Sequence, residues 1–273
     1  MDHEPRRAEP EQEKGTLARG LRLLSVLAAV GKPTGLSELT QITGYSKPTV
    51  HRLARALVDL GYLEQASAPS FCYSLRPKVL ELGYNYLAGL QVRELASPLM
   101  RSLSGQFGEN VTLSLLDGSE VVYVERLEAR PTGLFFKTSV GSRMPVYCSS
   151  MGKAILALLP DAHRSKVIDG CSFEKYTEFT ITDRKALEEE LATIRQKGYA
   201  INDQEMELGV RSVGAPIFGD RGLPIGAINI SAPSVRLTRQ FLEEEVAPVL
   251  VKCATEISLS RPYLDGEGST ERV

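Results

Sequence analysis

The 273-residue sequence predicts an α+β protein in two parts. Three observations carry that prediction. Residues 16–61 hold three short helical patterns, with a hairpin pattern directly after them. Residues 16–78 carry eight Lys/Arg against three acids, a net of +5, whereas residues 79–273 carry 21 basic and 26 acidic residues, a net of −5. From Val111 the apolar period changes to two, so strands take over from helices. Strand runs mixed with a few helices, without repeating βαβ alternation, argue for an antiparallel sheet.

Residues 1–15 are polar and acidic and are expected to form a disordered leader. From Thr16, Leu17, Leu21, Leu24 and Leu27 fall three or four apart, which is one face of a helix. Gly31-Lys32-Pro33-Thr34-Gly35 breaks it. LSELTQIT predicts a second short helix with Ser37 as its N-cap, and Gly44-Tyr45 predicts a tight turn. SKPTVHRLARALVDLG predicts a third helix, with Ser46 at the N-cap and Pro48 in the first turn, where a missing N–H is harmless. YLEQ and FCYSL read as the two strands of a hairpin. Three short helices, a tight turn before the third and a hairpin after it make the winged helix-turn-helix order. This domain spans 16–76.

Val50, Leu53, Leu57 and Leu60 give the third helix an apolar face, which leaves Arg52 and Arg55 pointing outward. A net charge of +5 on so small a module suits a polyanion. Ser46, Lys47 and Thr49 start the helix, where base edges and phosphates would be met, and His51 flanks them. Arg52 and Arg55 reach further along the groove. Ser67 and Ser70, near the hairpin tip, are candidates for backbone or minor-groove contact. The competing reading is a sensory or scaffold module whose helix-turn-helix makes protein contacts; retained partner binding without salt-sensitive DNA affinity would be its sign.

Residues 77–108 read as linker helices rich in bulky apolar groups (Val79, Leu80, Leu82, Tyr84, Tyr86, Leu87). Such a connector needs a partner, and a second copy is the simplest one, giving a homodimer suited to a two-fold operator. The C-terminal domain spans 109–261, with a polar tail over 262–273. VTLSLLD and EVVYVERLE flank the Asp117-Gly118-Ser119 turn. GLFFKTSV is a third strand candidate. A helix is expected over 184–197 behind a cap at Thr182 or Asp183. GYAIND, VRSVGAPIF and LPIGAINIS follow as strands, Asp220-Arg221-Gly222 turns the last pair, and 242–260 closes the domain as a helix.

Composition narrows the function. Hydrophobic residues make up 42% and charged residues 24%, ordinary for a soluble globular chain. No apolar run approaches the ~20 residues that span a bilayer, and the first residues do not form a signal peptide, so no membrane partner and a cytoplasmic location are expected. The cysteines, at 72, 148, 171 and 253, form no CxxC, and the histidines at 3, 51 and 163 are scattered. Neither a metal site nor a disulfide framework is expected.

One segment, VYCSSMGKAILA over 146–157, raises the question of chemistry. Cys148 would need a base to act as a nucleophile, and His163, in PDAHRSKV, reads as part of an exposed helix start. Gly152-Lys153 is followed by Ala154 rather than Ser or Thr, so it is not a phosphate-binding Walker loop, and no GxSxG occurs. No catalytic residue and no cofactor are assigned. Ser149, Ser150 and Met151 instead open a helix whose N–H groups favour a carboxylate.

Six stretches then support a family resemblance: ARGLRLLSVLA, GLSELTQITGYSKPTVHRLARALVDLGYL, LRPKVLELGYNYL, VGSRMPVYCSSMGKAILA, KGYAINDQEMELGVRSVGAPIF and GAINISAP. Together, over about residues 16–260, they resemble the IclR family of bacterial transcription regulators. The resemblance implies a winged helix-turn-helix, a dimerising linker, a GAF-like effector-binding domain for small organic acids, and homodimers or homotetramers on operator DNA. Carried over by position, the effector pocket falls on Ser150, Met151, Asn202, Val210, Ser212, Asn229 and Ser231. Asn202, Ser212 and Asn229 depart from the family's commoner Asp, Cys and Ser. Phe136, Met144, Met151 and Val210 would supply apolar wall for an aromatic or aliphatic body. YCSSMGKA and GYNYL are similar to the branch that regulates aromatic-acid catabolism through the β-ketoadipate route.

Overall fold

The computed structural model describes residues 15–66, 71–129, 138–219 and 221–260. They fall into two compact units, Met1–Gly89 and Leu90–Val273. The leader over 1–14, the tail from 261, Asp220, and the candidates Ser67, Ser70 and Phe136 lie outside the described residues.

The first unit runs α1 (Thr16–Val30), β1 (Thr34–Gly35), α2 (Leu36–Thr43), α3 (Lys47–Asp59), β2 (Leu63–Gln65), β3 (Cys72–Leu75) and α4 (Val79–Ala88). Leu23, Leu27, Leu39, Val50, Leu53 and Leu57 from the three helices meet Leu63 and Tyr73 of the hairpin in one core. The winged helix-turn-helix order therefore stands. Its sheet gains a strand that the sequence pattern does not announce: β1 pairs with β3, giving the antiparallel order β1-β3-β2. Ser37 does not cap α2; Gly35 takes the cap position and the helix starts at Leu36. Ser46 sits at the α3 cap, but its hydroxyl pairs with that of Thr49 at 2.9 Å instead of a backbone N–H. In α4 no residue is buried, and Leu80, Leu82, Tyr84 and Tyr86 are all more than half exposed.

The second unit runs α5 (Gln91–Phe107), β4 (Asn110–Asp117), β5 (Glu120–Leu127), β6 (Arg143–Pro145), a 3-10 turn (Val146–Cys148), α6 (Ser150–Leu158), α7 (Asp161–Asp169), α8 (Arg184–Lys197), β7 (Ala200–Asp203), β8 (Val210–Phe218) and β9 (Pro224–Pro233). α9 (Arg239–Phe241), a π turn (Leu242–Val246) and α10 (Ala247–Leu259) close it. The six strands form one antiparallel sheet in the order β6-β5-β4-β9-β8-β7. Along β8 both alternating sets, Ser212 and Gly214 against Val213 and Ala215, are buried, so the sheet is covered on both faces. α6 packs on β8 and β9, and α10 packs on β8. The strand candidate GLFFKTSV falls mostly outside the described residues, and the short β6 adds a strand that periodicity does not signal.

Candidate functional site

The register of the sheet builds the floor of a cavity. Asn110 pairs with Ser231, Ser231 with Ser212, and Ser212 with Asn202. Directly opposed residues project to the same face, so four polar side chains form one row. The next row reads Arg126, Thr112, Asn229 and Gly214. Gly214 is where the start of α6 rests on the sheet: a Cβ there would stand 2.8 Å from the Ser150 carbonyl carbon. Between these rows and α6 lies a cavity of about 80 Å³, several times the ~10–15 Å³ that one water needs.

All seven effector positions taken from the sequence line this cavity: Ser150, Met151, Asn202, Val210, Ser212, Asn229 and Ser231. Met144 lines it too. Their hydrogen bonds differ. The Ser150 hydroxyl pairs with that of Ser212 at 2.9 Å. Asn202 Nδ2 donates to the Cys148 carbonyl at 2.6 Å, and its Oδ1 accepts from the Glu205 N–H, so its amide braces the entry to α6. Asn229 Nδ2 reaches Ser150 Oγ at 3.5 Å, whereas its Oδ1 has no partner among the described residues. Ser149 caps α6 by accepting from the Gly152 N–H and donates its own proton to the Pro145 carbonyl.

Sequence reasoning missed Tyr123, Arg126, Met206 and Glu207, which also line the cavity. A register shift between Leu113 and Ser114 pairs Thr112 with Arg126 but Ser114 with Tyr123. That bulge turns Tyr123 and Arg126, three residues apart, to one face. Burial pushes the Tyr123 hydroxyl up to about 12, against a lowering influence of Arg126. Met206 and Glu207 come from the irregular loop before β8. Burial raises the Glu207 carboxyl, and its Oε2 has no partner among the described residues.

Gly152 and Lys153 have structural roles rather than phosphate-binding ones. A Cβ on Gly152 would run into the Val146 backbone, so only glycine lets α6 pass the 3-10 turn this closely. Lys153 is 1% exposed and donates to Glu205 at 2.5 Å and Glu190 at 3.4 Å. Cys148 is fully buried and its Sγ contacts Met206 Sδ at 2.9 Å. Burial drives its thiol far above the ordinary range, which suppresses the thiolate a nucleophile requires. His163 is exposed on α7.

In the first unit, Ser46, Lys47, His51, Arg52 and Arg55 are exposed and Thr49 is half-buried. The opposite face of α3 is in the core through Val50, Leu53, Ala54 and Leu57. The outward face is thus cationic, and Arg55 shares its charge with Asp59, 3.3 Å away one turn on.

Comparison with known proteins agrees with both halves. The profile of the IclR helix-turn-helix domain matches residues 16–67, and that of the bacterial transcriptional regulator IclR C-terminal region matches residues 84–259. The Pca regulon regulatory protein of Pseudomonas putida is 30% identical over 242 residues, covering 89% of this chain and 82% of its own. The crystal structure of an IclR family transcriptional regulator from Brucella abortus aligns with a TM-score of 0.77 at 32% identity, over 94% of this chain and 96% of that one. The inducer-binding domain of the PobR transcription factor from Acinetobacter, solved as a double mutant with 3-hydroxybenzoic acid, aligns with a TM-score of 0.54 at 29% identity, over 60% of this chain and 96% of that one. Among the described residues no helix is long and apolar enough to cross a membrane. The chain belongs to the IclR family of DNA-binding transcriptional regulators, which join a helix-turn-helix domain to a ligand-binding C-terminal domain.

Proposed function

We propose that the cavity in the second unit is the effector site, and that a small organic acid bound there changes the protein's affinity for operator DNA. The observation that carries this reading is convergence: seven positions scattered from Ser150 to Ser231 in sequence line one cavity. Ser150, Met151, Asn202, Val210, Ser212, Asn229 and Ser231 are the effector-binding residues in this reading. Three thioethers in the wall, from Met144, Met151 and Met206, give it an adaptable apolar side suited to an aromatic or keto acid. The acid seen in the related inducer-binding domain belongs to that class.

Ser46, Lys47, Thr49, His51, Arg52 and Arg55 form the operator-reading face of α3. The regulator acts in the cytoplasm as a homodimer or homotetramer, with α4 as a contact between copies. Four large apolar side chains in a ten-residue helix without a buried residue support that role. It acts by binding, without catalysis: its one cysteine near the cavity is buried, with its thiol held protonated.

The test is ligand binding by the full chain, read by calorimetry across a panel of organic acids, with Ser212→Leu as the cavity-blocking variant. Binding that Ser212→Leu abolishes supports the reading. Binding that survives it places the effector elsewhere and overturns the assignment.

A further inference from the structure

The cavity wall carries two buried acceptor atoms without a partner and one cation that is weakly held. Glu207 Oε2 and Asn229 Oδ1 are shut off from water and accept no hydrogen bond from the described residues. Asn229 is 5% exposed. Buried polar atoms in folded proteins almost always have partners, and each exception calls for an explanation. Of the six such atoms among the described residues, these two belong to residues that line the cavity.

Arg126 is the one cation and Glu207 the one acid among the described lining residues. The Arg126 side chain is 10% exposed, yet its bonds are long: Nε to Glu128 at 3.3 Å and Nη1 to Thr112 at 3.4 Å. Glu128 itself is 58% exposed. Those two bonds use Nε and one Nη1 hydrogen, so Nη2 and the second Nη1 hydrogen remain for a planar, two-pronged acceptor. Thr112 pairs with Arg126 on one side and Asn229 on the other. The guanidinium therefore reaches Thr112, one strand spacing (~4.8 Å) from the Asn229 strand. The start of α6, by contrast, is already occupied: Ser149 caps the helix and Ser150 pairs with Ser212.

We propose that the cavity reads a singly charged carboxylic acid that also carries a hydroxyl or amino donor, with Arg126 taking the carboxylate and Glu207 and Asn229 taking the donor. This rests on the effector reading above and adds the charge, the donor and the two residues that select them. A second carboxylate would face Glu207, so a dicarboxylate is rejected by like-charge repulsion. An acid without a donor leaves the buried acceptors unpaired, the situation that gives the strongest discrimination between near-isosteric ligands.

Calorimetric titration of the full chain tests this. The probes are benzoate, 3- and 4-hydroxybenzoate, 4-aminobenzoate, the uncharged 4-hydroxybenzamide and the doubly charged terephthalate, with butyrate and 3-hydroxybutyrate as the aliphatic pair. At least one donor-bearing monoacid is expected to bind about tenfold or more tighter than its donor-free parent, its amide and the diacid. Arg126→Met is expected to erase the preference for acid over amide, and Glu207→Gln to shrink the preference for the donor-bearing acid. Circular dichroism shows whether each variant keeps its fold, and Arg126→Lys, which keeps the charge, is expected to recover part of the acid preference. Equal binding of parent and donor-bearing acids, or an acid-to-amide ratio unchanged in Arg126→Met, overturns the inference and leaves the effector site standing. Binding that survives Ser212→Leu overturns the effector site itself. A panel in which nothing binds wild-type protein overturns the inference.

Discussion

Lys153 Nζ lies 2.5 Å from Glu205 Oε1, and both residues are sealed from solvent, at 1% and 6% exposure. The pair ties the second turn of α6 to the loop that carries Met206 and Glu207 into the cavity wall. The same loop is held by Thr180 Oγ1, which donates to the Glu205 carbonyl at 2.6 Å, and by Asn202. Breaking a buried pair leaves an uncompensated charge, which costs about 3–5 kcal/mol. Lys153→Met should therefore destabilise the second unit by that order in denaturant unfolding. The double variant Lys153→Met/Glu205→Leu should recover most of the loss. A single variant as stable as wild type would show that the Lys153–Glu205 pair does not hold the loop.

Gly214 lets α6 lie on the sheet beside the cavity. In Gly214→Ala the new methyl lands 2.8 Å from the Ser150 carbonyl carbon and 3.0 Å from the Met151 nitrogen, both backbone atoms. Overpacking of this kind costs about 1–3 kcal/mol. The helix start must shift, so the variant should lose ligand affinity as well as stability. Unchanged affinity would mean that the start of α6 does not shape the site.

Tyr123 predicts a pH dependence. Its hydroxyl titrates at about 12 in the folded protein, against the ordinary tyrosine value of 10.0. Between those values the unfolded chain has released a proton that the folded chain retains, so folding stability falls as pH rises. The slope is about 1.4 kcal/mol per pH unit for one group. Tyr123→Phe should remove that component, and unfolding curves of the two proteins above pH ~10 would compare them. Parallel curves would show that burial does not hold the Tyr123 proton.

On α3, Arg52→Ala should weaken operator binding and flatten its dependence on salt, because fewer neutralised phosphates release fewer counterions on binding. Arg55→Ala should have a smaller effect, since Arg55 is partly neutralised by Asp59. Affinity measured against salt concentration for each variant separates the two. No change in either would remove α3 from the DNA interface.

The parts of the fold that are legible in the sequence are those with local punctuation. α8 is readable to its ends because Asp183 accepts from the Ala186 N–H at one end and Gly198 takes a left-handed turn at the other. The winged helix-turn-helix follows from Leu spacing and the Gly31 and Gly44 breaks. The cavity positions on β7, β8 and β9 come through the family resemblance, and plain alternation agrees with them: Ser212 and Gly214, Asn229 and Ser231 sit two apart. Tyr123 and Arg126 escape sequence reasoning because a spacing of three means opposite faces in a regular strand, and only the bulge opposite Leu113 and Ser114 makes it one face. Met206 and Glu207 lie in a loop entered through Gln204 at φ 64 and left through Gly209 at φ 81, where no periodic rule applies. Lys153 follows a glycine as in a phosphate loop; only the long-range pairing with Glu205, 52 residues away, shows its role.

In the proposed function, occupancy of the cavity governs DNA binding. The most direct test is the operator affinity of the full chain at fixed salt, with and without a saturating acid identified by calorimetry, for wild type and Ser212→Leu. The acid is expected to shift wild-type affinity about fivefold or more and to leave the affinity of Ser212→Leu unchanged. An identical shift in both proteins, or no shift in wild type at saturation, would contradict it.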